Sequence, residues 1–181
     1  MRFVVLGLGS NRSWQNMDCL KLLSEAVLRL KSLLHDLDCS SVYRTRPMYV
    51  TDQSDFFNMV VTGFVDDSLS PHVLLERIHQ IEASLGRDRS REIRNGPRSI
   101  DIDIELFGKE RIRTADLEIP HPRIAERAFV LVPMLEILPK SADTIDSTLS
   151  APIKRYARRL KVSGSGGIEK CMDAVQFKLL V

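Results

Sequence analysis

Residues 94–105, Arg94-Asn95-Gly96-Pro97-Arg98-Ser99-Ile100-Asp101-Ile102-Asp103-Ile104-Glu105, decide how the rest of the chain is read. From residue 100 onward isoleucine alternates with acid. A period of two predicts a half-buried β-strand, which runs on to Phe107. Side chains leave a strand on alternate faces, so Ile100, Ile102 and Ile104 share one face and Asp101, Asp103 and Glu105 the other.

Working outward from that strand, residues 87–97 have almost no apolar content and are expected to form a mobile loop. Before them, Ser70-Pro71 supplies an N-cap and an N1 proline for a helix that stops at Gly86, with Leu74, Ile78, Ile81 and Leu85 as its core stripe. Phe56 to Val65 reads as a strand. Ser40 to Tyr43 reads as another, entering a long loop through Arg46-Pro47. Leu20, Leu23, Val27, Leu30 and Leu34 predict an amphipathic helix over 17–34. Phe3 to Leu8 is a first strand, ended in a turn by Gly7, Gly9, Ser10 and Asn11. The order β-α-β-β-α-β predicts an α+β fold, a ferredoxin-like antiparallel sheet with helices packed on it. Beyond Phe107, Gly108-Lys109-Glu110 predicts a hairpin turn into 111–119. Pro120-His121-Pro122 starts a helix with Ile124, Ala128, Leu131 and Leu135 on one face, which Pro133 is expected to kink or stop. A basic helix is expected over 151–160. The expected organisation is one domain over 1–162, then a linker and tail over 163–181 that adds an edge strand or swaps with a neighbouring molecule.

Parallel carboxylates on one strand face repel, and a divalent cation offsets that repulsion. Mg²⁺ typically binds through one or two carboxylates plus substrate phosphates. Just upstream, residues 87–98 hold five arginines against two acids. Cations for phosphate beside carboxylates for metal suggest a metal–nucleotide site, over which a cationic loop can close. A solvated polar strand face beside a solvated charge run stays open from spacing alone. Glu105 and Glu82 are read as surface acids. His121 is a cap or a donor to phosphate, with Arg127 nearly two turns on. Phe56 and Asn58 share a face that suits a flat heteroaromatic ligand, or equally a core ring with an amide at its edge. The segment from Gly7 to Arg12 lacks the third glycine of GxGxxG and is read as a strand–helix turn.

The bulk properties exclude several classes. The 181 residues carry a net charge of only +2, which predicts neither a nucleic-acid nor a membrane partner. An RNA-directed nucleotidyltransferase or nuclease would need a broader basic surface. Arginine outnumbers lysine 18 to 8. Cys19, Cys39 and Cys171 form no CxxC pair and are expected to be reduced thiols of a cytoplasmic protein. No apolar run approaches the ~20 residues of a membrane span.

Gly9-Ser10-Asn11, Tyr43-Arg44-Thr45-Arg46-Pro47, Phe57-Asn58, Ile81-Glu82, Gly86-Arg87, Gly96-Pro97-Arg98 with Asp101 and Asp103, Leu106-Phe107-Gly108, Pro120-His121 and Arg127 with Phe129 recur in one family. Through them the chain resembles the 6-hydroxymethyl-7,8-dihydropterin pyrophosphokinases of folate biosynthesis. The resemblance spans roughly residues 5 to 140, and Gly-Pro-Arg-x-x-Asp-x-Asp is its most specific part. It implies a transferase that moves diphosphate from ATP, the co-substrate, to the pterin and releases AMP. Two Mg²⁺ ions would be held by Asp101 and Asp103, and Arg87 and Arg98 would join them as catalytic groups. The resemblance puts Glu82, Arg89, Arg98, Ile104, His121 and Arg127 around ATP. It puts Thr45, Pro47, Met48, Phe56, Asn58 and Phe129 in the pterin pocket, and it implies a functional link to dihydropteroate synthase. Four residues depart from the family: Asn95 replaces a common tryptophan, Pro122 a common tyrosine, Arg46 a small residue or proline, and Glu105 an apolar residue. A regulatory or binding domain that kept only the fold is the rival reading. The complete set of Arg87, Arg98, Asp101, Asp103, His121 and Asn58 counts against it.

Overall fold

A computed structural model describes residues 1–93, 95–141 and 167–181. Arg94, the expected helix over 151–160 and most of the Ser/Gly linker lie outside the described residues. The chain folds as β1 (Arg2–Ser10), α1 (Cys19–Leu30), β2 (His35–Cys39), β3 (Val42–Thr45), β4 (Phe56–Val65), α2 (Pro71–Ser84) and β5 (Asp101–Phe107). β1 lies between β5 and β4 and is antiparallel to both, and β4 pairs in turn with β2 and β3. This is the expected ferredoxin-like α+β arrangement, with the second strand position divided between β2 and β3.

Burial explains the order. β1 is buried on both faces, as a near-continuous apolar run requires. Val4, Leu6 and Leu8 pack in the layer of α1 and α2, while Phe3 and Val5 pack in the layer of α3 (Ala128–Ser141). α1 starts where Asp18 accepts from the Lys21 amide at 2.8 Å. It ends before Leu34 because the chain turns there into β2. α2 starts at the Ser70 cap and Pro71, and its stripe of Leu74, Ile78, Ile81 and Leu85 is buried. Gly86 closes it at φ +86°, and a Cβ there would strike the Trp14 ring.

Several expectations are corrected. The strand read as Ser40 to Tyr43 begins only at Val42, as β3, and Ser40-Ser41 separate it from β2, where the Ser40 hydroxyl accepts from the Val60 amide at 2.9 Å. Residues 111–119 do not form a hairpin with β5. They fold on themselves as β6 (Ile112–Arg113) and β7 (Glu118–Ile119). The helix expected from Pro120 begins only at Ala128 and passes through Pro133 to Ser141. It forgoes the backbone bond that proline cannot donate, and burial of Leu131, Met134, Ile137 and Leu138 offsets the loss. No helix of the described residues is long and apolar enough to cross a membrane.

The tail adds an edge strand, one of the two expected outcomes. β8 (Ile168–Met172) pairs antiparallel with β3, and α4 (Ala174–Lys178) follows under an Asp173–Gln176 capping box. Phe177 is fully buried in the α1/α2 core. Truncating a fully buried phenylalanine costs about 3–5 kcal/mol. Phe177→Ala is therefore expected to lower stability by about that amount in urea unfolding, and a loss below 1 kcal/mol would show that the tail does not hold the core.

Candidate active site

The site begins with two glycines. The segment read as a strand–helix turn is not a turn, because β1 continues through Gly7 and Gly9 to Ser10. Gly9 lies between Asn58 of β4 and Asp101 of β5, and Gly7 between Val60 and Asp103. A Cβ on Gly9 would sit 2.9 Å from the Asn58 amide oxygen, and one on Gly7 would sit 3.0 Å from a Glu105 carboxyl oxygen. The missing side chains lower the floor of the sheet. A cleft opens above it.

The structure brings together on this cleft Thr45, Met48, Phe56, Asn58, Arg98, Asp101, Asp103, Arg127 and Phe129. Asn58 donates to the Thr45 hydroxyl at 2.8 Å, and both are buried. Arg98 lies over the Phe56 ring at 5.8 Å, and Arg127 over the Phe129 ring at 5.6 Å. Pro47 and Ile104 do not line the cleft. Ile104 is packed into the α1/α2 core on the opposite face of β5. Glu82, Arg87, Arg89 and His79 line a second cleft, at the end of α2.

Arginines neutralise the acids. Arg87 pairs with Asp101 and with Glu82 at 2.8 Å, and Arg98 reaches the other Asp101 oxygen at 2.6 Å. Burial works against the charge of Asp101, but Arg87 and Arg98 prevail and hold its carboxyl below the usual range. Asp103 is pushed the other way by burial and by Asp101, against a 2.7 Å bond from Arg127. His121 is pushed down to about 4 by burial and by Arg127 and Arg123, so it is neutral at pH 7. Its Nδ1 accepts from the Arg123 amide at 3.1 Å, which leaves the proton on Nε2.

Glu82 and Glu105 are not the surface acids expected. Glu82 is 1% exposed and takes the Arg87 and Arg89 guanidiniums and the Ile102 amide. Burial raises its pKa against those partners. Glu105 is 0% exposed. The register of β5 against β1 shifts so that Ile104 faces Leu6 and Leu106 faces Val5, leaving Glu105 as a bulge turned into the protein. Burial and then Asp103 raise its pKa to about 8.

Sequence reasoning gave no role to the groups that tie the loops together. Asn11 Nδ2 donates to Gln53 at 2.9 Å, and Asn11 Oδ1 accepts from the Arg98 amide at 2.8 Å. Gln53 Nε2 reaches the carbonyls of Val50 and Asn95. Asn95 sits at φ 60°, a left-handed conformation that asparagine adopts more readily than most residues. Arg12 pairs with Glu92 at 2.6 Å. The loop before β4 and the arginine-rich loop are thus pinned to the end of β1. Gln53 lies in a polar loop and carries no periodic signal.

A family model described as 7,8-dihydro-6-hydroxymethylpterin-pyrophosphokinase matches residues 5–139. The chain is 42% identical over 142 residues to a mitochondrial folate synthesis bifunctional protein of Pisum sativum, covering 78% of this chain and 26% of that protein. It is 51% identical over 98 residues to a 2-amino-4-hydroxy-6-hydroxymethyldihydropteridine pyrophosphokinase of Bacillus subtilis, covering 54% of this chain and 56% of that one. It thus spans about a quarter of the first relative and just over half of the second. A protein of the same name from Methylorubrum extorquens is 43% identical over 136 residues, with 74% and 81% covered. Among solved structures, a fused HPPK-DHPS in complex with substrates aligns with a TM-score of 0.59 at 16% identity, over 77% of this chain and 42% of that one. Wild-type Plasmodium falciparum HPPK-DHPS aligns with a TM-score of 0.60 at 16% identity, over 94% and 47%. At that identity the structural likeness speaks for the fold alone.

The buried Glu105 has a measurable consequence. An unfolded glutamate ionises near pH 4.3, roughly, and the folded one near pH 8. Between these values the unfolded chain holds fewer protons, so stability is lost as pH rises. Without divalent cations, the native protein is expected to lose stability relative to Glu105→Gln from pH 5 to pH 8, followed by urea midpoints. Parallel pH profiles would contradict this.

Proposed function

The chain belongs to the 7,8-dihydro-6-hydroxymethylpterin-pyrophosphokinase family, and on that footing we propose that it transfers diphosphate from ATP to 6-hydroxymethyl-7,8-dihydropterin, releasing AMP. One observation carries the reading: the acid pair Asp101 and Asp103 shares a cleft with Asn58, Phe56 and Phe129. A flat heteroaromatic ring needs apolar faces and a directional polar edge. Phe56 and Phe129 supply the faces, Asn58 supplies the edge with Thr45 fixing its amide, and Met48 completes the pocket.

Asp101 and Asp103 fit Mg²⁺. They occupy neighbouring same-face positions, and their mutual repulsion, which helps raise Asp103, is what a cation relieves. No group of three or more His, Cys, Asp or Glu among the described residues could hold a metal alone. Mg²⁺ typically completes its shell with substrate phosphates, so two carboxylates suffice. Two Mg²⁺ ions would neutralise phosphate charge and lower the pKa of the attacking hydroxyl.

The chain's own residues do the rest. The pterin hydroxymethyl oxygen loses its proton to solvent as it forms a bond to the β-phosphorus of ATP. The bond from that phosphorus to the oxygen bridging the α-phosphate breaks, and the electron pair leaves with AMP. Arg87 and Arg98 turn from Asp101 to the transferring phosphates, where negative charge develops. Arg89, Arg127 and the Nε2 proton of neutral His121 hold the triphosphate. Glu82 keeps Arg87 and Arg89 aimed, and Ile104 supports the nucleotide from within the core. The product carries a good leaving group, which suits consumption by dihydropteroate synthase, the partner that the fused relatives suggest. A cytoplasmic location goes with this reading, and neither nucleic acid nor membrane is a partner.

Incubation with ATP, Mg²⁺ and the pterin is expected to yield AMP, measured by chromatography, and AMP no higher than in a no-pterin control would reject the assignment. Asp103→Asn is expected to lower turnover by ~100-fold or more while changing pterin affinity only a few-fold. Equal losses of both would remove Asp103 from the phosphate machinery.

A further inference from the structure

Glu105 is left without work by the mechanism above. It is wholly buried and lines the cleft, and neither carboxyl oxygen has a hydrogen-bond partner among the described residues. A buried carboxyl without partners lowers stability, whereas an apolar side chain of similar size would not. Two local features nevertheless keep it there. The bulge turns it inward, and Gly7 leaves the space that its Oε1 occupies.

The donor beside it is Arg127. Its Nη1 lies 2.7 Å from Asp103 Oδ2 and 3.6 Å from Glu105 Oε1, and its Nε has no hydrogen-bond partner among the described residues. Arg127 thus has one acceptor engaged and a second just beyond hydrogen-bond distance. We propose that Glu105 is a positioning residue, the reserve acceptor that keeps the Arg127 guanidinium aimed into the cleft when bound nucleotide engages Asp103. This rests on the diphosphotransfer reading.

The need is electrostatic. The Arg127 side chain is 10% exposed, and a guanidinium at that depth is unstable without an acceptor. If Asp103 turns to a ligand, Arg127 loses its bond of 2.7 Å. Asp101 cannot replace it, because with nucleotide bound it would hold the cation beside Asp103. Glu105 can, after a displacement of well under 1 Å. A carboxyl accepts through its C=O oxygen whether or not it carries a proton, so the role does not depend on charge. Arg127 then keeps the rest of its planar fork for phosphate.

The test uses Glu105→Met and Glu105→Gln, each alone and combined with Arg127→Met. Two quantities are read: the melting temperature of the free protein, and the affinity for a non-hydrolysable ATP analogue with Mg²⁺. Calorimetry gives the affinity, and Trp14, packed on Gly86 at the root of the arginine-rich loop, gives a fluorescence check. Glu105→Met is expected to raise the melting temperature yet weaken the analogue about tenfold or more. Glu105→Gln, which keeps an acceptor oxygen, is expected to stay within about threefold of the native protein. With Arg127→Met, the methionine at 105 is expected to add no more than about twofold. A Glu105→Met protein that binds within about twofold of native would overturn the proposal, as would glutamine no better than methionine, or equal weakening in both backgrounds. A lowered melting temperature would make Glu105 structural instead. A native protein that binds no analogue and forms no AMP would reject the diphosphotransfer reading, and this inference with it.

Discussion

Asp101, Asp103 and Glu105 crowd three carboxyls onto one stretch of strand in a sheet covered on both faces, and the organisation of the site follows from neutralising them. Arg87 arrives from the end of α2, Arg98 from the Gly-Pro turn and Arg127 from the segment before α3. Three separate connections must converge for the strand to be tolerated. The free site is therefore internally paired. A cation and a polyphosphate can enter by exchange, the cation taking the acids and the phosphates taking the arginines. No bare charge need be buried at any stage, which is the condition a water-poor cleft imposes.

The same strand depends on what its neighbour lacks. Gly7 and Gly9 give β1 a floor low enough for the Asn58 amide and the Glu105 carboxyl to lie across it. Past that floor, Asn11 joins the loop carrying Gln53 to the loop carrying Asn95 and Arg98. The two loops flanking the cleft therefore share one anchor, and movement of either is felt by the other through a few hydrogen bonds at the end of the central strand.

The residues legible from sequence are those whose environment is set by their neighbours along the chain. β4 is legible to its ends, since aromatic and β-branched residues dominate Phe56–Val65 despite Asn58 and Gly63. The caps of α2 and the alternation of β5 are equally local. β2 was missed because His35–Cys39 is polar and borrows its strand conformation from β4. The start of α3 was misjudged because Pro120 and Pro122 resemble a helix start, while the 120–127 segment is held by other contacts, such as the His121 amide on the Glu105 carbonyl at 3.0 Å.

By itself the sequence determined the element order from β1 to β5 apart from β2, the separation of acids from isoleucines across β5, and the set of residues that recur in the family. Each of these is a matter of spacing and residue type. Only the tertiary structure decided that Glu82 and Glu105 are buried, that the two glycines form a floor rather than a turn, and that Gln53 belongs to the site. Those facts depend on groups brought together from far along the chain. Arg127 meets Asp103 across 24 positions, and Asn11 meets Arg98 across 87. A periodic pattern reports which face a side chain takes, but not what lies opposite, and what lies opposite sets its burial, its charge and its use.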